Sequence, residues 1–135
     1  MLNSLFRRLI AFLGPDETQT SPPAAREEVC GVEVTRETVF RKSQELWPQG
    51  EAQGVLADLA DIPESLRVQL AVLWLSQGSL EDLKRWSGIA RKDRRDVLMS
   101  AEYPPEEWNR TPEVEKELGK IRGEHLRRYR AWLRR

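Results

Sequence analysis

The sequence predicts an all-α protein, a small bundle of short antiparallel helices with a long C-terminal helix. Three observations carry that prediction. The stretch Leu66-Arg67-Val68-Gln69-Leu70-Ala71-Val72-Leu73-Trp74-Leu75 is almost continuously apolar. Apolar residues on either side of it recur at spacings of three and four, the signature of a 3.6-residue period. No segment of weight alternates with the two-residue period of a strand.

The central stretch reads as a helix buried on several sides, because its apolar residues cover most of the circumference. Asp61 is placed to cap it, Pro63 to occupy its first turn, and Gly78 to stop it after Ser76-Gln77. About ten apolar-rich residues are too few to span a bilayer, which takes about twenty. Before it, Thr35 caps a helix from Arg36 to about Leu46, with Val39, Phe40 and Leu46 as core residues. Trp47-Pro48-Gln49-Gly50 breaks that helix. A short helix from about Glu51 to Ala60 then buries Val55, Leu56 and Leu59.

After the central helix, Ser79 is an N-cap, with Glu81 and Asp82 in the first turn where they complement the helix dipole. Leu80, Leu83 and Trp86 form the inner face, and Ser87-Gly88-Ile89 reads as a tight turn. A further helix runs from about Ala90 to Glu102, burying Val97, Leu98 and Ala101, until Tyr103-Pro104-Pro105 stops it. Thr111-Pro112-Glu113 starts the last helix, combining cap, first-turn proline and dipole-matching glutamate. Val114, Leu118, Ile121, His125, Tyr129 and Trp132 make one apolar stripe along it. Gly119 and Gly123 each cost it about 1 kcal/mol relative to alanine, which suggests close packing against something or marginal order of the helix in isolation.

The ends differ in character from this core. Residues 1–13 form an amphipathic segment, with Leu2, Leu5, Phe6, Leu9 and Leu13 on one face and Arg7 and Arg8 opposite. The arginines interrupt the apolar run, so it is a poor secretory signal. Three placements stay open for it: this protein's own core, a partner's groove, or a membrane surface. Residues 14–34 read as a flexible linker through Gly14-Pro15 and Pro22-Pro23. Val29, Val32 and Val34 alternate there, with no evident pairing strand. The expected organisation is therefore 1–13 N-terminal helix, 14–34 linker, 35–104 helical core domain and 105–135 basic amphipathic helix.

Composition excludes several chemistries. Cys30 and His125 are the only cysteine and histidine, too few for a structural zinc site's four ligands and far apart for a nucleophile–base pair. A lone cysteine fits a reducing, cytoplasmic setting. Acidic clusters at Glu81/Asp82, Glu102/Glu106/Glu107 and Glu113/Glu117 read as surface charge, and no phosphate-cradling glycine loop is present. No catalytic, cofactor or metal residue is expected. Net charge is zero, yet residues 1–70 carry 7 Lys/Arg against 11 Asp/Glu, and residues 71–135 carry 15 against 11. The second part is basic by 4, which suits either an anionic partner or attraction between the two parts.

Two resemblances bear on the same region. Ser79 to Met99 resembles a helix-turn-helix: Leu83, Gly88, Ile89 and Val97 match its apolar and glycine positions, and Arg91, Lys92, Arg94 and Arg95 would face DNA. Lys84, Ser87 and Arg94 depart from it at packing positions. Val68 to Pro104 is similar to small all-helical bacterial proteins without an assigned activity, through Val68-Gln69-Leu70-Ala71, Gly78, Arg94-Arg95-Asp96-Val97-Leu98 and Ala101-Glu102-Tyr103-Pro104. That likeness implies helical architecture alone.

The leading expectation is a non-enzymatic protein–protein interaction module or self-associating adaptor. Its contact residues would be Leu5, Phe6 and Leu9 at one end and His125, Tyr129, Trp132 and Leu133 at the other. The alternatives are a helix-turn-helix DNA binder and a protein held at a membrane surface by residues 1–13.

Overall fold

The computed structural model describes residues 26–60, 62 and 65–135. Residues 1–13 and most of the expected linker lie outside them, as do Asp61 and Pro63. Among the described residues the fold is mostly α-helical, with one two-stranded sheet.

The sheet is the main departure from the sequence reading. Arg26–Val29 (β1) pairs antiparallel with Val32–Thr35 (β2), setting Glu27 opposite Val34 and Val29 opposite Val32. Cys30 and Gly31 make the two-residue turn, with φ of +51° and +81°. Two successive left-handed residues match the twist that tight hairpins require. The end of the expected 14–34 linker is therefore core structure: Val29, Val32 and Val34 are all buried. The pairing strand reads Arg-Glu-Glu-Val, which carries no β pattern of its own. Its second inward position is Glu27, and an inward carboxylate is tolerated only where donors meet it. They do. Glu27 accepts from the backbone N–H groups of Leu66 and Arg67 and lies 3.3 Å from the Ser65 hydroxyl. It caps the central helix from another element.

Thr35 ends β2 and caps α1 (Arg36–Leu46), with reciprocal bonds between Thr35 and Thr38. The inner face of α1 carries Val39, Lys42, Ser43 and, half-buried, Leu46; Phe40, expected in the core, is 38% exposed. One residue's rotation of about 100° moves it off the stripe. After α2 (Ala52–Leu59) comes the central helix α3 (Leu66–Ser76), capped by the Ser65 hydroxyl. It ends with Gln77 and Gly78 at φ of +50° and +83°. α3 packs against α1, β1 and the next two helices, and Leu70, Ala71, Val72 and Leu73 are fully buried.

α4 (Leu80–Lys92) runs straight through Ser87-Gly88-Ile89, correcting the expected turn. Ser87 and Ala90 both face inward, and nothing crowds Gly88, so an unbroken helix buries this face best. The break comes at Asp93. Its backbone N–H closes α4 on the Ile89 carbonyl, and its carboxylate accepts from Arg95 N–H at 3.0 Å to open α5 (Arg94–Glu102). A 3₁₀ turn at Pro105–Trp108 leads to α6 (Pro112–Arg134), whose Thr111 cap and Pro112 start match the sequence expectation.

α6 is not a separate unit beyond residue 104. Tyr129, Trp132 and Leu133 belong to the main core. Tyr129 and Trp132 stack with centroids 5.9 Å apart, and Trp74 meets each ring edge-on at 5.2 Å. The end of α6 is also held to α1. Lys42 Nζ sits 5.0 Å from the Trp132 ring and donates to the Arg135 carbonyl at 3.2 Å, beside Arg41 Nε at 3.0 Å. Burial pushes the Lys42 ammonium below its usual range, against the opposing pull of Glu45.

Candidate interaction surface

The expected contact residues divide sharply. Leu5, Phe6 and Leu9 lie outside the described residues. Tyr129, Trp132 and Leu133 are buried in this protein's own core, so their role as partner contacts is corrected. The Tyr129 and Trp132 rings close the aromatic cluster around Trp74. His125 is half-buried, and its Nε2 donates to the Ala101 carbonyl at 2.7 Å. A carbonyl oxygen only accepts, so this bond fixes the imidazole tautomer and uses the ring to tie α6 to α5.

The basic residues of the helix-turn-helix resemblance are exposed but arranged differently from that motif. Arg91 and Lys92 close α4, whereas Arg94 and Arg95 open α5. Arg91 donates to the Asp58 carbonyl at 3.3 Å. With the break at Asp93, the four do not line a single recognition helix.

The buried polar groups serve architecture. Arg67 grips Glu102 through two bonds, 2.7 and 2.6 Å. Desolvation, with the Glu102 charge nearby, pushes the Cys30 thiol up, away from the thiolate that nucleophilic chemistry needs. Burial likewise pushes the Tyr129 phenol up, and its hydroxyl has no hydrogen-bond partner. Among the described residues no group of three or more His, Cys, Asp or Glu side chains is placed to hold a metal ion. No described helix is long and apolar enough to cross a membrane.

The surface that sequence reasoning missed lies between α5 and α6. Tyr103 is 45% exposed and Trp108 57% exposed, the highest values among the large apolar side chains described. A tryptophan buries roughly 200 Å², so this exposure leaves about 2–3 kcal/mol of apolar burial unused. The segment carrying the rings is nevertheless firmly held. Pro104 is buried, and its carbonyl accepts from Glu107 N–H at 3.0 Å. Glu107 accepts from Arg110 at 2.6 Å and from Arg122 through both Nε, at 2.8 Å, and a terminal nitrogen. Hydrogen bonding to Arg122 foremost holds the Glu107 carboxyl down at about 2. On α6, Leu118 is buried outside the main core.

A second apolar feature is a half-open cleft of about 130 Å³ lined by Leu46, Leu73, Trp74, Gln77 and Trp132. The chain matches no family model, and comparison with curated proteins and with solved structures finds nothing similar to it. Its function is read from geometry alone.

Proposed function

We propose that the protein is a non-enzymatic interaction module whose contact surface is the Tyr103–Trp108 face. One observation carries this reading: among the described residues, the two most exposed large apolar side chains sit on one short segment that Glu107, Arg110 and Arg122 hold in place. Aromatic rings on a preformed support are the residues that anchor protein interfaces, because little conformational freedom is lost when they are covered. The ion pairs that Glu107 makes on the same segment fit the polar border of such surfaces. The reading retains the interaction role expected from the sequence and moves it from the C-terminal stripe to the connection before α6.

The test compares the wild-type chain with Tyr103→Ala/Trp108→Ala in affinity capture from cell extract and in solution mass. A stoichiometric protein, or a second copy, recovered only with the wild type supports the proposal, provided both chains unfold at the same denaturant midpoint. Identical recovery with both chains overturns it.

A further inference from the structure

We propose that the cleft between the end of α1 and the ends of α3 and α6 is a docking site for this chain's own residues 1–13, with the Phe6 ring as the inserted group. The cleft holds about 130 Å³ and its floor is Leu46, Leu73, Trp74 and Trp132. A protein cavity of about 150 Å³ with an apolar lining accepts a benzene molecule, so a phenylalanine ring is the right size. Trp74 and Trp132 already meet edge-to-face, and a third ring seated against the cleft side of this pair extends the geometry aromatic groups prefer. Gln77 supplies a polar rim.

The length and attachment of the segment fit the same site. The described chain begins at Arg26, which pairs with Thr35, the cap of α1. Leu46 lies at the other end of that helix, about 16 Å away at 1.5 Å per residue. Residues 14–25 reach up to about 40 Å when extended, more than twice that span. A tether of this length holds its end at an effective concentration in the millimolar range, so a modest apolar contact suffices for occupancy. The sequence offers that contact, since the spacing of Leu2, Phe6, Leu9 and Leu13 would place them on one face of a helix, with Arg7 and Arg8 opposite. This docking is independent of the Tyr103–Trp108 surface.

Disulfide trapping in the full-length chain tests it. In a Cys30→Ser background, Asn3→Cys places a thiol three residues before Phe6 and Gln77→Cys places one on the cleft rim. The intramolecular disulfide closes in glutathione buffer, and adding Phe6→Ala slows closure at least tenfold while adding Arg8→Ala leaves the rate unchanged. Repeating the series with Glu45→Cys in place of Gln77→Cys separates docking from any local effect at position 77. Closure rates indifferent to Phe6→Ala in both series overturn the proposal. So does a predominance of intermolecular disulfides in dilute protein, which would assign the cleft to a second copy.

Discussion

The two halves of α6 carry the same apolar stripe and are held by different physics. From Tyr129 to Leu133 the stripe is buried among Trp74, the hairpin valines and α1. From Val114 to Ile121 it is only partly covered, Leu118 alone being buried, and Arg122 anchors the helix through Glu107. One half is a structural core element. The other is a platform for exposed aromatic rings. An apolar stripe on a helix states that something covers it and does not state what.

The largest expected effect breaks the buried half. Trp132→Ala removes a ring from the core and loses about 3–5 kcal/mol in urea unfolding, whereas Ile121→Ala, half-buried on the platform, loses about 1 kcal/mol. Equal losses would erase the distinction between the halves. Next comes Tyr129→Phe, which deletes a buried hydroxyl that has no partner and raises stability by about 1 kcal/mol, since an unpaired buried group opposes folding. A loss instead would show that the hydroxyl is bonded in solution.

Glycine substitution sharpens the comparison from the platform side. Nothing lies within 4 Å of a Cβ added at Gly119 or Gly123, so the close packing expected from their helix cost is not what retains them. Gly123→Ala is therefore stabilising by up to about 1 kcal/mol in the same unfolding measurement. Destabilisation would mean that another molecule packs on this face.

The smallest effect is local and depends on pH. The Glu107 carboxyl is held at about 2, below the ordinary value of 4.5. A lowered folded-state value contributes stability that is complete above pH 4.5 and is lost as pH falls through 2. The Trp108 indole resonance is expected to shift with a midpoint near 2, with no matching change at Trp132 until the whole chain unfolds. Glu107→Gln should abolish that transition while leaving the global unfolding midpoint almost unchanged, as for an ion pair at the surface.

Much of this architecture is local information. Thr35, Ser79 and Thr111 cap their helices where the sequence places them, because a capping hydroxyl bonds only the next few backbone N–H groups. The burial of Leu66, Val68 and Leu70 to Leu73 follows from a helix apolar around most of its circumference. The boundary at Asp93 was less legible. Gly88 is a stronger turn signal than aspartate, and only the inward packing of Ser87 and Ala90 keeps the helix intact past it. The exposure of Tyr103 and Trp108 was not legible because Trp108 follows two prolines in a segment without periodicity. Nothing local reports whether such a ring is covered.

The sequence by itself determined the helical class, the central buried helix, most helix starts and the shortage of groups for metal or nucleophilic chemistry. These depend on composition and on contacts within about one turn. Tertiary structure alone decided three further matters. It made Arg26–Val29 a strand, because Glu27 finds donors at the start of α3. It drew Tyr129 and Trp132 into the core, because Trp74 and Lys42 are waiting there. It left Tyr103 and Trp108 outside, on a connection that the Glu107–Arg122 pair ties to α6. Each depends on groups dozens of residues apart or on where the chain has already packed, and no local pattern encodes those.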